Sequence, residues 1–334
     1  MAVLLLVILL AVFFGFTNGL NDAANVIASL ITTRTATPGQ AVTVAGVFQI
    51  AGALLAGSAV ADTFGTLVRV SPERTMAVVG AGLTGALAWN LLVWWKGLPS
   101  SSSHALTGGL VGAAVAEAGA GAVRWVGMNG WRPAGVVAVL ASLAISPLVG
   151  LAVGWGLTRA GRRVLGRATR EVVGPIRAGQ WLATAGLSFA HGANDAQHAM
   201  GMITLVLVAR GDLAFFDVPL WVKLVGAGAL TVGTVSGGWN IVRTVGEGIY
   251  RLRTLDGLVS EAGSAAVIYG AAIVGGPVST THVVASSIVG VGAAQRSAHV
   301  KWPVVGEILG AWVVTLPASA VIGFAALPLW RWIT

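Results

Sequence analysis

The sequence contains no cysteine and few charged residues. The absence of cysteine excludes disulfide bonds and thiolate metal sites, and it leaves the redox compartment open. Only 10% of the 334 residues are charged, whereas a soluble domain has about 25%. Apolar residues make up 56% of the chain, and the mean hydropathy is +0.84. This composition excludes an ordinary soluble domain and predicts an all-α polytopic membrane protein.

The sequence also lacks the basic stripe with interleaved aromatic residues that a nucleic-acid groove requires. Its net charge of +8 comes from Lys and Arg in short loops between apolar segments, where such residues set membrane topology. Several of the 13 tryptophans lie near segment ends, as in an interfacial belt. We therefore expect membrane lipid around the protein and no nucleic-acid partner.

Ten apolar segments follow one another along the chain, and the longest polar stretch separates the fifth from the sixth. The segments are predicted at 2–31, 40–61, 76–96, 100–118, 134–157, 181–209, 219–242, 261–276, 279–295 and 303–330. The polar stretch carries six arginines, so the positive-inside rule makes it cytoplasmic. The predicted organisation is an N-terminal transmembrane repeat (1–158), a basic cytoplasmic loop (159–180) and a C-terminal transmembrane repeat (181–334).

Each half has five segments, an odd number, so the second half enters the membrane from the opposite side. The two halves are therefore predicted to form an inverted repeat. The same charge distribution places both chain termini outside, in a multi-pass protein of the plasma membrane.

A polar motif interrupts the first and the sixth apolar segments. Residues 17–25 read TNGLNDAAN, and residues 190–198 read AHGANDAQH. A carboxylate near the bilayer centre costs at least about 2.5–3.5 kcal/mol, so Asp22 and Asp195 are candidate functional residues. We expect the backbone to unwind at both motifs, with the alternative that each Asp only caps a half-helix.

A second pair of motifs lies later in each half. Residues 99–104 read PSSSSH, and residues 277–282 read PVSTTH. Pro suits the first turn of a helix, Ser and Thr are good N-caps, and a helix N-terminus offers free N–H groups to an anion. Short Gly/Pro-interrupted segments at matching places in two halves point to a central transport site, built from broken or re-entrant half-helices. The candidate anion ligands are Ser101, Ser102, Ser103, Ser279, Thr280 and Thr281.

The paired aspartates would repel a bare anion unless a cation or a proton lies between them. Phosphate keeps a proton at neutral pH and can donate it to a carboxylate, whereas sulfate has none, so phosphate is favoured. We expect Asp22, Asn25, Asn194 and Asp195 to help ligate the phosphate. If the coupling ion is Na⁺, we expect oxygen atoms of Asn21, Asp22, Asn194 and Asp195 to hold it.

Taken together, these motifs resemble the PiT family of inorganic phosphate transporters. The resemblance rests on 19–25, 101–104, 191–197, 244–247, 279–282 and 312–317. It implies an inverted-repeat fold with phosphate held between the two Asn-Asp motifs and the two Ser/Thr-rich half-helix ends. Some members use Na⁺, and many bacterial ones are proton-driven and take up neutral metal–phosphate complexes. Gln49 stands where Na⁺-coupled members often have a glutamate, and Leu20 stands where a small residue is usual.

The prediction is a secondary active transporter that imports inorganic phosphate by Na⁺ or H⁺ symport, with alternating access around a midplane site. It is not an enzyme and needs no cofactor besides the coupling ion. The substrate is free phosphate or a metal–phosphate complex, and a homodimer is a generic expectation. The alternatives are a permease for sulfate or another oxyanion, a passive anion channel, and an intramembrane hydrolase that uses the two aspartates.

Overall fold

The structure is a computed structural model that describes residues 1–166 and 170–334; Arg167, part of the predicted basic loop, lies outside them. The helices of the first half are α1 (Ala2–Thr32), α2 (Pro38–Leu55), α3 (Ala59–Gly65), α4 (Pro72–Lys96), α5 (Ser102–Ala118) and α6 (Val136–Val164). Those of the second half are α7 (Val173–Arg210), α8 (Leu220–Ser236), α9 (Trp239–Arg243), α10 (Thr254–Ile273), α11 (Thr280–Arg296) and α12 (Trp302–Ile333). A π-helical turn (Thr244–Gly248) follows α9, and short 3-10 turns cover Ala120–Ala122, Arg170–Val172 and Ser297–His299.

Each of the ten predicted apolar segments is helical. Eight coincide with one helix each, whereas 40–61 comprises α2 and α3, and 219–242 comprises α8 and α9. These two split segments occupy matching places in the two halves. A small hairpin of β1 (Gly127–Asn129) and β2 (Arg132–Ala134) precedes α6 and was not predicted.

The prediction that the backbone unwinds at the Asn-Asp motifs is wrong. Both α1 and α7 run without interruption through their motifs. The carboxylates of both motifs find side-chain partners within one turn or on α11, so the backbone can keep its own hydrogen bonds. The motifs interrupt the apolar character of these helices and not their geometry.

The motif glycines allow helices of opposite halves to touch. A Cβ on Gly19 of α1 would lie 2.0 Å from the carbonyl oxygen of Leu230 on α8. A Cβ on Gly192 of α7 would lie 2.0 Å from the carbonyl oxygen of Gln49 on α2. Only glycine permits these approaches. Each half therefore packs its second helix against the first helix of the other half.

Contacts at both ends show that α1 and α7 are antiparallel. The hydroxyls of Thr33 and Thr35, just after α1, donate to Gln180 near the start of α7 at 3.1 and 2.7 Å. At the other end, Arg210 of α7 lies 3.6 Å from the sulfur of Met1. Because these helices open the two halves, the halves have opposite directions, as predicted. We call the side with the chain termini the terminus face, and the side where α6 ends and α7 begins the linker face.

Helices α4 and α5 form one re-entrant hairpin, and helices α10 and α11 form another. Glu117 at the end of α5 pairs with Arg74 at the start of α4, so this hairpin returns to the terminus face. Gln295 of α11 donates to Asp256 of α10 at 2.5 Å, which returns the second hairpin to the linker face. The predicted half-helices are thus present, and each half still crosses an odd number of times.

Length and composition alone select some of the helices as possible membrane spans. Within the described residues, α1, α2, α4, α6 and α12 are long and apolar enough to cross a membrane, and α8 with residues 239–248 is a sixth candidate despite a 65° bend. This selection includes α4, which belongs to the first hairpin, and omits α7, whose ends contact opposite ends of α1. The arginine-rich stretch is shorter than predicted: α6 continues to Val164 and α7 begins at Val173, so most of 159–180 is helical. Charged ends extend these helices beyond the apolar core.

Candidate functional site

The two aspartates meet at the N-terminus of the half-helix α11. The hydroxyl of Thr281 donates to Asp22 Oδ1 at 2.5 Å, and that of Thr280 donates to Asp195 Oδ2 at 2.8 Å. Asp22 comes from the middle of α1 and Asp195 from the middle of α7, so one turn of α11 joins the two repeats. These four residues are among those that the sequence analysis assigned to one phosphate site.

Asn25 closes the same cluster from α1. Its amide nitrogen donates to Asp22 Oδ1 at 2.8 Å and lies 3.0 Å from the hydroxyl oxygen of Thr281. The position three residues after Asp22 places both side chains on one face of the helix. The amide therefore orients the carboxylate and adds a donor to the site.

His191 lies between the two carboxylates, and sequence reasoning did not assign it to the site. Its Nε2 is 2.8 Å from Asp195 Oδ2 and 4.0 Å from Asp22 Oδ2. Its Nδ1 is 2.7 Å from Nε2 of Gln49. The ligand atoms of Asp22, His191 and Asp195 all lie within 4.8 Å of one another, so they could hold a cation. The spacing of four residues between His191 and Asp195 on a helix was the signal that could have revealed this contact.

Two of the predicted anion ligands serve as helix caps. The side-chain oxygens of Ser101 and Ser279 accept the main-chain N–H of His104 and His282, each at 3.2 Å. These bonds fix the first turns of α5 and α11, whose tips converge: the rings of His104 and His282 are 4.8 Å apart between centroids.

The serines of the first repeat do not reach the aspartates. Ser102 accepts from the amide of Asn90 at 3.4 Å, and Ser103 lies 3.3 Å from Nε2 of His198. The repeated motifs are therefore used unequally: Thr280 and Thr281 donate to the carboxylates, whereas Ser102 and Ser103 contact Asn90 and His198.

Within the part of the chain that the structure describes, Asn21 and Asn194 each have a side-chain oxygen that accepts no hydrogen bond. Asn21 donates its amide to the carbonyl of Asn90 at 3.2 Å, and Asn194 donates to that of Gly276 at 3.5 Å. Among the described residues, neither side-chain oxygen has a hydrogen-bond partner, although both atoms are buried. A buried acceptor without a donor fits a cation ligand, which agrees with the Na⁺ prediction for these residues.

The site is closed to water. Asp22 and Asp195 are each 2% exposed, and the other predicted ligands are buried too. Those buried ligands are Asn21, Asn25, Ser101, Ser102, Ser103, Asn194, Ser279, Thr280 and Thr281. Carboxylates, hydroxyls, amides and an imidazole thus form one buried cluster, where opposite charges interact more strongly than in water.

Comparison with known proteins agrees with this architecture. A family model described as the phosphate transporter family matches the chain twice, at residues 18–173 and 166–323. This chain belongs to the phosphate transporter family. The two matches correspond to the two halves of the inverted repeat. Proteins of this family are transporters and not enzymes, which excludes the hydrolase.

Relatives of similar length match over nearly the whole chain. A protein of Rhizobium meliloti (strain 1021) is 40% identical over 94% of this chain and 92% of its own length. One from Bacillus subtilis (strain 168) is 37% identical over 96% and 95%. Both are described as probable low-affinity inorganic phosphate transporters. A solved structure titled the sodium-dependent phosphate transporter has the same fold, with a TM-score of 0.87, 23% identity and full coverage of both chains.

Proposed function

We propose that this protein is a secondary active transporter that imports inorganic phosphate by Na⁺ or H⁺ symport, with alternating access around the buried midplane site. The single observation that carries the proposal is the junction of Asp22 and Asp195, from opposite repeats, through Thr280 and Thr281 at a half-helix N-terminus. The descriptions of the relatives as phosphate transporters support phosphate as the substrate.

The donors and acceptors of the site suit a partly protonated phosphate. The free N–H groups at the start of α11 can donate to phosphate oxygens. The hydroxyls of Thr280 and Thr281 and the Asn25 amide would join them by turning away from the partners to which they donate in this conformation. The carboxylates of Asp22 and Asp195 can accept the proton of the phosphate. Sulfate, which has no proton to donate at neutral pH, would leave this carboxylate pair without compensation.

The coupling ion is Na⁺ or H⁺, and the site supports each with different residues. Na⁺ would bind the free oxygens of Asn21 and Asn194 together with the two carboxylates, since hard cations prefer oxygen ligands. A proton would reside on His191, which lies between those carboxylates. In both cases the positive charge would offset the repulsion between the two buried carboxylates.

Alternating access follows from the closed site and the inverted repeat. Neither face reaches the aspartates in this conformation, so one repeat must move relative to the other to expose them. Ser102 and Ser103 would complete the phosphate shell as the two half-helix tips approach.

The decisive experiment is uptake of labelled phosphate into proteoliposomes with an imposed Na⁺ gradient, a proton gradient, or neither. Uphill uptake under one gradient identifies the coupling ion, and a divalent metal added with phosphate tests a metal–phosphate substrate. Equal competition by sulfate would favour a general oxyanion permease. Uptake at the same rate with and without each gradient would favour a passive channel. The absence of uptake under every gradient would contradict the proposal.

A further inference from the structure

A cationic cavity opens on the linker face, outside the central site. It has a volume of about 420 Å³ and lies where α1 ends against the π-helical turn. Its charged lining residues are Arg34, Arg251, Lys301 and one carboxylate, Glu247. In the described parts of the chain, none of these three cations forms an ion pair with a carboxylate, and the Lys301 ammonium donates to the main-chain oxygen of Glu247 at 2.9 Å. The cavity therefore has excess positive charge.

The backbone around this cavity is unusual on two sides. Arg34 has a φ of +56°, and within the described residues it is the one non-glycine residue with positive φ. The opposite wall belongs to the π-helical turn Thr244–Gly248. Strained dihedrals and π-helical turns concentrate at functional sites, because their cost is tolerated only where the position of a side chain matters. Positive charge on this face is enough to set membrane topology. The left-handed residue and the π-helical turn therefore need another explanation.

A polar face of α1 connects the cavity with the central site. Asn25, Ser29 and Thr32 are spaced by four and three residues, so they lie on one side of the helix. Asn25 belongs to the central cluster, Ser29 donates to the buried carboxylate of Glu261, and Thr32 lines the cavity. Toward the terminus face, the same helix buries apolar residues such as Phe14 and Val7. The polar path thus leads to the linker face.

We propose that this cavity is a second, peripheral binding site for a phosphate group. Two guanidinium groups and an ammonium are the side chains that bind phosphate oxygens best, since arginine can donate two parallel hydrogen bonds. The ligand is inorganic phosphate at the linker-face end of the transport path, an assignment that rests on the proposed function. The phosphate of an anionic lipid headgroup has the same chemistry and is the other source.

The first test uses the absence of native cysteine. Glu247 is exposed on the cavity wall, so the thiol of a Glu247→Cys variant can be labelled with a charged methanethiosulfonate. We expect inorganic phosphate to slow labelling severalfold relative to chloride at equal ionic strength. Arg34→Gln with Arg251→Gln should remove this protection, whereas Arg177→Gln, an exposed arginine of the same face outside the cavity, should keep it.

Two further variants separate binding from folding and from the central site. Arg34→Gly removes the side chain while relieving the left-handed backbone, so it should weaken protection without lowering the thermal unfolding temperature. Asp22→Asn disables the central site and should leave protection intact. Loss of protection in Asp22→Asn would show that phosphate acts from the central site and would overturn the proposal.

Transport measurements distinguish the two sources of phosphate. In neutral phosphatidylcholine vesicles, the arginine double variant should raise the half-saturating phosphate concentration on the linker face about tenfold, the effect of losing a charge-assisted hydrogen bond. The value on the terminus face should not change. If phosphate gives no protection but phosphatidylglycerol does, in the parent and not in the double variant, the ligand is the lipid headgroup.

The remaining outcomes are equally specific. Labelling that neither phosphate nor phosphatidylglycerol slows would overturn the proposal, as would equal protection in the parent and the double variant. Protection by phosphate in a protein that shows no uptake under any gradient would contradict the proposed transport function and still support the peripheral site.

Discussion

The two aspartates occupy equivalent positions in the repeats, yet their partners differ. Asp22 accepts from a hydroxyl and an amide, whereas Asp195 accepts from a hydroxyl and lies beside His191. A cation or proton that neutralises the pair would therefore meet a different environment at Asp22 and at Asp195. Because both carboxylates are buried, removal of either charge leaves its partners and the remaining charge uncompensated.

Replacement of either carboxylate by its amide should abolish uptake. Breaking a buried charge pair costs about 3–5 kcal/mol, so Asp22→Asn and Asp195→Asn should each reduce phosphate uptake by about a hundredfold or more. Asp212→Asn is the matched control, since that carboxylate is partly exposed and pairs with Arg210 at the surface. Uptake in proteoliposomes measures the effect, and equal protein in the membrane fraction verifies insertion. Normal uptake by both site variants would remove these aspartates from the site.

We expect the Thr281 side chain to act through its hydrogen bond to Asp22 and not through its volume. Thr281→Val keeps the volume but removes the donor to Asp22 and should lower uptake at least about tenfold, while Thr281→Ser should retain most of it. Thr204→Val is a suitable control, because the buried Thr204 hydroxyl has no hydrogen-bond partner among the described residues. The half-saturating phosphate concentration and maximal rate are measured together. Equal activity of Thr281→Val and Thr281→Ser would contradict a hydrogen-bonding role.

At the scale of helices, glycine determines how closely the two repeats can pack. A Cβ on Gly233 of α8 would lie 2.0 Å from the carbonyl oxygen of Phe16 on α1, whereas a Cβ on Gly228 of the same helix would meet nothing within 4 Å. In lipid, such backbone contact is a main source of helix association. One helix therefore offers both a critical glycine and a neutral one.

Substitution of these two glycines should have opposite outcomes. Gly233→Ala should destabilise the protein by about 1–3 kcal/mol or more, because α8 must move away from α1. Gly228→Ala should leave stability unchanged or raise it slightly, since alanine favours a helix. Thermal unfolding of the purified protein in detergent provides the comparison. A similar loss of stability in both variants would contradict the proposed importance of the close contact at Gly233.

The sequence predicted the helices well because apolar runs of membrane length have few other interpretations. It also assigned Asp22 and Thr281 to one phosphate site, although it did not predict the direct hydrogen bond between them. It failed on the continuity of α1 and α7. That prediction assumed that polar groups at midspan must be satisfied by unwound backbone. Instead, side chains far away in sequence contact them: Thr281 is 259 residues from Asp22, and Thr280 is 85 residues from Asp195.

Local sequence patterns also could not predict contacts between residues far apart in the chain. Gln49 and His191 are 142 residues apart in sequence but in contact. The pair that closes the first hairpin, Arg74 with Glu117, spans 43 residues. Periodicity reports which face of a helix is buried and not which helix covers it.

At the scale of the whole molecule, pseudo-symmetry of the fold coexists with asymmetry at its centre. The halves are antiparallel and exchange helix contacts, but among the described residues the hydroxyls that donate to the aspartates both come from α11. An exact symmetric arrangement would treat both faces alike, and a transporter must distinguish them in each conformation. On the proposed alternating-access mechanism, the opposite conformation would bring Ser102 and Ser103 toward the aspartates, as the first-repeat counterpart of the present contacts.

The orientation of the molecule is a separate prediction that the native absence of cysteine makes easy to test. The arginine-rich linker should be cytoplasmic and the chain termini outside. Phe215, between α7 and α8 on the terminus face, is 72% exposed, and Gly174 is exposed at the start of α7 on the linker face. In intact cells an impermeant maleimide should label Phe215→Cys, and it should label Gly174→Cys only after permeabilisation. The reverse pattern would invert the topology, so that the polar face of α1 and the cationic cavity would meet the external solution and the peripheral phosphate site would serve entry in place of release.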